Sequence, residues 1–206
     1  MRDDIQRLLT AARVPDTVQP QAFGLWRIRR LHLITGNALR VGWPTQTRLE
    51  RYTLAIEMAG QGEGELVMED SRRELSRHLP CWLNAHGNVL VTGLGLGCVA
   101  RGLLACPKVE HIDVVEIDRE ILRVVGAEFA RHPKVTLHHG DALTWAPPDG
   151  KRWALGWHDL WSAPEEEHLH ILHAKVLLRF APYCDAQGAW QFLRAFKRLW
   201  PTPLIG

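Results

Sequence analysis

Gly93, Gly95 and Gly97 alternate with Leu94 and Leu96 directly after the apolar run Asn88-Val89-Leu90-Val91-Thr92. That pattern predicts a buried strand that breaks into a glycine-rich turn and then a helix. A glycine turn lets backbone approach a ligand that a Cβ would repel. About twenty residues on, Ile112-Asp113-Val114-Val115 ends in Glu116, an acid at the tip of the next strand, placed to accept both hydroxyls of a ribose. A third run, Lys134-Val135-Thr136-Leu137-His138, leads into Gly140-Asp141-Ala142-Leu143. Together these elements describe a pocket for an adenosine-type cofactor.

The glycines alone fit two readings. Gly95-x-Gly97-x-x-Ala100 matches the dinucleotide fingerprint in its G-x-G-x-x-A form. Gly93-x-Gly95-x-Gly97 resembles motif I of the class I S-adenosylmethionine (SAM) methyltransferases. The set G-x-G-x-G, then Val115-Glu116-Ile117-Asp118, then Gly140-Asp141-Ala142 resembles that family in its usual order. A nicotinamide enzyme has no particular need of the third element, which leaves an NAD dehydrogenase a distant reading. The resemblance implies SAM as cofactor, with Gly93, Gly95 and Gly97 near its methionine and ribose portions. It places Glu116 on the ribose hydroxyls and Asp141, followed by Ala142, on the exocyclic amine of adenine. Leu94 or Ile117 would cover the adenine faces.

The elements that must position these residues follow from hydrophobic period. An amphipathic helix is expected at 3–13 and a linker at 14–21. Alternating strands follow from Trp26, with a hairpin turn at Gly36-Asn37, a return strand over Leu39–Trp43, and further strands over Tyr52–Met58 and Glu65–Met68. Ser71-x-x-Glu74 is a capping box opening a helix that runs to about Gly87. Strands and helices then alternate: strand 88–93, helix 98–106, strand 111–116, helix 119–130, strand 134–138, strand 152–157, and a helix behind Ser162-x-x-Glu165. The expected fold is α/β, a Rossmann-like, mostly parallel sheet flanked by helices with a small N-terminal antiparallel β unit. Residues 1–70 would form the N-terminal helix and β unit, and 71–206 the Rossmann-like cofactor domain. Trp190, Leu193, Phe196 and Trp200 have helical spacing, so a final helix in place of further strands, and hence a short sheet, is expected.

The 206 residues, 46% of them hydrophobic, suit one domain with a small appendage, and the net charge of +2 comes without a basic block. No nucleic-acid partner and no membrane partner are therefore expected. Cys81, Cys98, Cys106 and Cys184 form no C-x-x-C pair, and no apolar leader precedes the first helix, so a cytoplasmic protein is expected. His168, His170 and His173 on one predicted helix lack a recognised metal spacing, and no metal is expected.

An N-terminal β unit ahead of a helix and motif I is similar to the spermidine synthase arrangement. Where that family carries D-S-x-D-P, this chain has His158-Asp159-Leu160-Trp161-Ser162-Ala163-Pro164, and Leu96 stands where the family has an acid in its glycine turn. Asp159 matches the first family acid and becomes, with His158, the candidate general base. Neither N-P-P-Y nor D-P-P-Y occurs there, which argues against a planar amide or base as methyl acceptor. Trp145, Trp157 and Trp161 are candidate pocket walls. The first expectation is thus a SAM-dependent methyltransferase acting on a small molecule. The alternatives are a spermidine-synthase-like aminopropyltransferase and a non-catalytic SAM- or nucleotide-binding module, with a homodimer through Trp190 or Trp200 as one way to work.

Overall fold

The computed structural model describes residues 2–35, 47–56, 65–160 and 166–189. Helix α1 (Arg2–Ala11) turns Leu8 and Leu9 inward. Strands β1 (Gln21–Phe23), β2 (Trp26–Thr35), β3 (Thr47–Ile56) and β4 (Glu65–Glu69) form a four-stranded sheet in chain order. All its pairings are antiparallel. β2 pairs along its whole length with β3, from Trp26 opposite Ile56 to Thr35 opposite Thr47. The hairpin turn and return strand expected over 36–43 lie outside the described residues, and β1 falls where the linker was expected to end.

The capping box forms, with the Ser71 hydroxyl accepting from the Glu74 amide. Its helix is interrupted: α2 (Arg72–Ser76) stops, and α3 (Leu79–Asn84) starts afresh with Pro80 in its first turn. Proline tolerates a helix start and breaks a helix interior, so one expected helix becomes two.

From there the chain alternates: β5 (Gly87–Thr92), α4 (Cys98–Leu104), β6 (Val109–Glu116), α5 (Arg119–Val124), β7 (Val135–His139), β8 (Trp153–His158), α6 (Glu166–Phe180) and β9 (Cys184–Ala189). These five strands form a parallel sheet in the order β7-β6-β5-β8-β9. The order reverses at β5, with β6 and β7 to one side and β8 and β9 to the other. In open α/β sheets ligands bind outside the carboxyl ends of the strands at such a reversal. The fifth strand corrects the expectation that only four strands precede a terminal helix. Residues 190–206, where that helix and the dimer tryptophans were expected, lie outside the described residues.

Alternation along β5 divides the core. Val89 and Val91 join a cluster with Leu103, Ile112 and Trp82 that continues into Leu8, Trp26, Ile28 and Tyr52 of the N-terminal part. Leu90 faces the other way, toward Val115, Trp153, Val176 and Phe180. Asp113, mid-strand in β6, is buried among donors: His138 Nε2 at 2.9 Å, Lys151 Nζ at 2.8 Å and Trp153 Nε1 at 2.8 Å. Burial pushes its carboxyl up, but these donors outweigh burial and hold it well below the usual carboxylate range.

Candidate cofactor and active site

Four strand ends along one edge of the parallel sheet carry the sequence-derived candidates. Glu116 ends β6, the Gly93–Gly97 turn follows β5, Asp141 lies just beyond β7, and His158-Asp159 closes β8. In sheet order they read Asp141, Glu116, glycine turn, Asp159, with neighbouring strands about 4.8 Å apart.

Glu116 is buried and faces the glycine turn. Its Oε2 accepts from the Leu94 amide at 2.7 Å and its Oε1 from the Asp118 amide at 2.8 Å. Burial pushes its pKa up, against the pull of the backbone donors. A carboxylate oxygen accepts more than one hydrogen bond, so the arrangement fits a ribose diol as well as the loop. Ile117, next in the chain, is 63% exposed, an apolar side chain held in solvent beside Glu116. Asp141 is half-buried, and its Oδ1 accepts from the Leu143 amide at 2.8 Å. Its other oxygen has no partner among the described residues. The Ala142 methyl packs into the core beside Leu90 and Trp153, so that residue offers a ligand backbone only.

The three glycines serve the chain itself. A Cβ on Gly93 would overlap the Asp159 carbonyl oxygen, where the end of β8 runs beside that of β5. A Cβ on Gly97 would overlap the Phe129 ring, and one on Gly95, at φ +51°, the Met68 sulfur. The space attributed to a ligand in the sequence reading is therefore filled by backbone at Gly93, by a core ring at Gly97 and by a flexible side chain at Gly95. Overall the residues fit an adenosine-type group: an acceptor carboxylate, an exposed apolar side chain and a second carboxylate stand in line beside a positive-φ turn.

At the β8 end the two candidates separate. His158 is fully enclosed, stacked on Phe180. Its Nδ1 accepts from the Thr92 hydroxyl at 2.9 Å and its Nε2–H donates to Gln187 Oε1 at 3.0 Å. Gln187 in turn donates through Nε2 to the Leu177 carbonyl, which fixes the tautomer by network. Burial pushes His158 down to about 4, so it is neutral and both nitrogens are engaged. Asp159 instead presents a side chain 15% exposed, with burial pushing its pKa up to about 6. His78, at the junction of α2 and α3, places Nε2 3.9 Å from Asp159 Oδ2. Its Nδ1 accepts from Trp157 Nε1 at 3.2 Å, and burial pushes it down to about 4. The approach of His78 to Asp159 is thus neutral imidazole beside carboxyl, not an ion pair.

Trp157 belongs to the core through that bond. Trp145 lies against His138, which is itself tied to Asp113, and His139 Nε2 bonds the Ile117 carbonyl at 3.0 Å. Trp161 and His168 have no described side chain. Among the described residues no group of three or more His, Cys, Asp or Glu could hold a metal ion, and no helix is long and apolar enough to cross a membrane. Met68, His78 and Gln187 were not singled out by sequence. His78 sits between the capping box and Pro80, and that proline is the sequence signal from which the junction could have been found.

No family model matches the chain. Ribosomal RNA small subunit methyltransferase A of Chromobacterium violaceum is 47% identical over 57 residues, 27% of this chain and 20% of that protein. Spermine synthase of Arabidopsis thaliana is 37% identical over 92 residues, 40% of this chain and 26% of its own length. The crystal structure of the 23S rRNA methyltransferase ErmE overlaps 58% of this chain and 46% of that one, with 20% identity and a TM-score of 0.42. The chain thus spans about a quarter or less of the curated relatives it matches. Relatives named for ribosomal RNA overturn the expectation that nucleic acid is excluded as a partner. In its mostly parallel α/β fold the chain resembles the class I SAM-dependent methyltransferases.

Proposed function

We propose that this protein is a SAM-dependent methyltransferase whose acceptor is a small nucleophile deprotonated at Asp159. The observation that carries this reading is the line of Asp141, Glu116, glycine turn and Asp159 along one edge of the parallel sheet. Asp141 would hold the adenine amine, Ile117 its face, and Glu116 the ribose hydroxyls. When bound, SAM supplies an activated methyl group on a sulfonium, so the protein needs chiefly to align the acceptor and exclude water. Asp159 holds a carboxyl near neutral pKa where the sheet order reverses, and so suits proton removal from an amine or hydroxyl. His158 supports it indirectly, anchoring the strand end through Thr92 and Gln187. The N-terminal sheet leans over this edge through Met68 and Trp26, which favours a small acceptor. Four free, buried thiols accord with a reducing, cytoplasmic setting.

The four-stranded sheet ahead of the parallel one, together with the spermine synthase match, favours aminopropyl transfer as a second reading. Incubation with methyl-labelled SAM and separate pools of small amines, small alcohols and a ribosomal RNA fragment tests the first. Label in a small-molecule pool, lost in Asp159→Asn, is expected. Label in the RNA alone would refute the small acceptor, and product formed only from decarboxylated SAM would move the assignment to aminopropyl transfer.

A further inference from the structure

Among the three turn glycines, only Gly95 meets a side chain that can move. That side chain belongs to Met68, on β4 of the N-terminal sheet. Its sulfur accepts a hydrogen bond from the Leu96 amide at 3.0 Å, in the middle of the turn. The contact is set up by a bulge. Leu54 pairs with Met68 and Ala55 with Leu66, which leaves Val67 as an extra residue in β4. A bulge re-aims the neighbouring side chain, and here it accompanies the turn of Met68 onto the parallel sheet.

The position matters because of the order along the edge. Asp141 and Glu116 fix the nucleoside end of a bound cofactor over β7 and β6, and Asp159 marks the reacting end over β8. The remaining portion, the amino-acid tail on sulfur, must then pass the β5 turn at Gly95 and Leu96. There the Leu96 amide is a ready donor for a carboxylate, and its present acceptor is a thioether. Sulfur is a weak acceptor and a methionine side chain is unbranched and adaptable, whereas an amide bond to carboxylate is charge-assisted.

We propose that Met68 occupies the seat of the cofactor's amino-acid tail, so that SAM binds only by displacing it, at a cost in affinity that the bare thioadenosine end does not bear. This rests on the adenosyl-cofactor reading above. A nucleoside lacking the tail binds without disturbing Met68. One that carries the tail must displace the sulfur from Leu96 and move the side chain off Gly95. The N-terminal sheet thereby acts on cofactor affinity through Met68.

Titration calorimetry of 5′-methylthioadenosine and of SAM, each against the wild type, Met68→Ala and Met68→Leu, tests this. Leucine retains apolar bulk against the core and removes the sulfur acceptor, so it reports on the site even if alanine loosens the sheet. The expected result is a gain of about tenfold in SAM affinity in Met68→Ala, a smaller gain in Met68→Leu, and 5′-methylthioadenosine affinity within about twofold throughout. Unchanged or weaker SAM binding in both variants, or an equal gain for both compounds, would overturn the role of Met68 while leaving the cofactor reading intact. Absence of binding by either compound to any of the three proteins would bring down the cofactor reading and this inference with it.

Discussion

Asp159, the proposed general base, also bears on stability. Burial pushes its carboxyl up to about 6 from an ordinary value of 3.8. Between those values the folded chain holds a proton that the unfolded chain has released, so the residue's contribution to stability falls as pH rises through that window. Asp159→Asn removes this dependence. The variant should match the wild type near pH 4 and exceed its stability by up to about 3 kcal/mol at pH 7.5, while losing transfer activity. Urea unfolding at the two pH values measures the difference, and a variant less stable than the wild type at pH 7.5 would show that the carboxylate is well paired. Sequence placed Asp159 at the end of the strand that is β8 but could not separate it from His158. The distinction depends on Thr92 and Gln187, which come from two other strands and meet His158 only after the sheet forms. Met68 and His78 were illegible for the same reason, since their partners lie 28 and 81 residues away, by subtraction, in the chain.

At the scale of elements, α5 depends on the cap that follows Glu116. Asp118 Oδ1 accepts from the Glu120 and Ile121 amides, and Oδ2 accepts from Trp26 Nε1 at 2.8 Å. One carboxylate therefore starts a helix and docks the N-terminal sheet. Asp118→Ala should cost about 2 kcal/mol, more than a cap alone, with most of the excess removed in a Trp26→Phe background. A denaturation double-mutant cycle measures it, and strict additivity would contradict the shared role. Asp113 does comparable work in mid-sheet. Asp113→Ala leaves the buried Trp153 indole and the half-buried His138 and Lys151 without their acceptor and should cost about 3 kcal/mol, read in the same unfolding experiment. The alternation of strands and helices from residue 87 onward was legible where an apolar run lies between turn signals, as in Val89–Val91 of β5 and Val114–Val115 at the end of β6. β9 was not, because Cys184-Asp185-Ala186-Gln187-Gly188-Ala189 is short of apolar side chains and owes its strand to pairing with β8.

For the whole molecule, the shared apolar cluster joins the N-terminal sheet to the parallel one, and Leu8, Trp26 and Tyr52 sit in the same core as Val91 and Leu103. Unfolding should accordingly be a single cooperative transition, with Trp fluorescence and far-ultraviolet circular dichroism coincident; two separated transitions would show independent units. The fold class was legible from order alone, because a glycine turn, two strand-end acids and regular alternation leave few topologies. How the N-terminal sheet leans on the site was not, because that contact is made by Met68 and Trp26 across the fold. The central claim is that one edge of the parallel sheet binds an adenosyl sulfonium through Glu116. Titration calorimetry of SAM against the wild type and Glu116→Ala, with an unfolding scan to verify that the variant is folded, tests it most directly. Micromolar binding by the wild type that is lost in the folded variant is the predicted result, and no binding by the wild type, or equal binding by both, would contradict it.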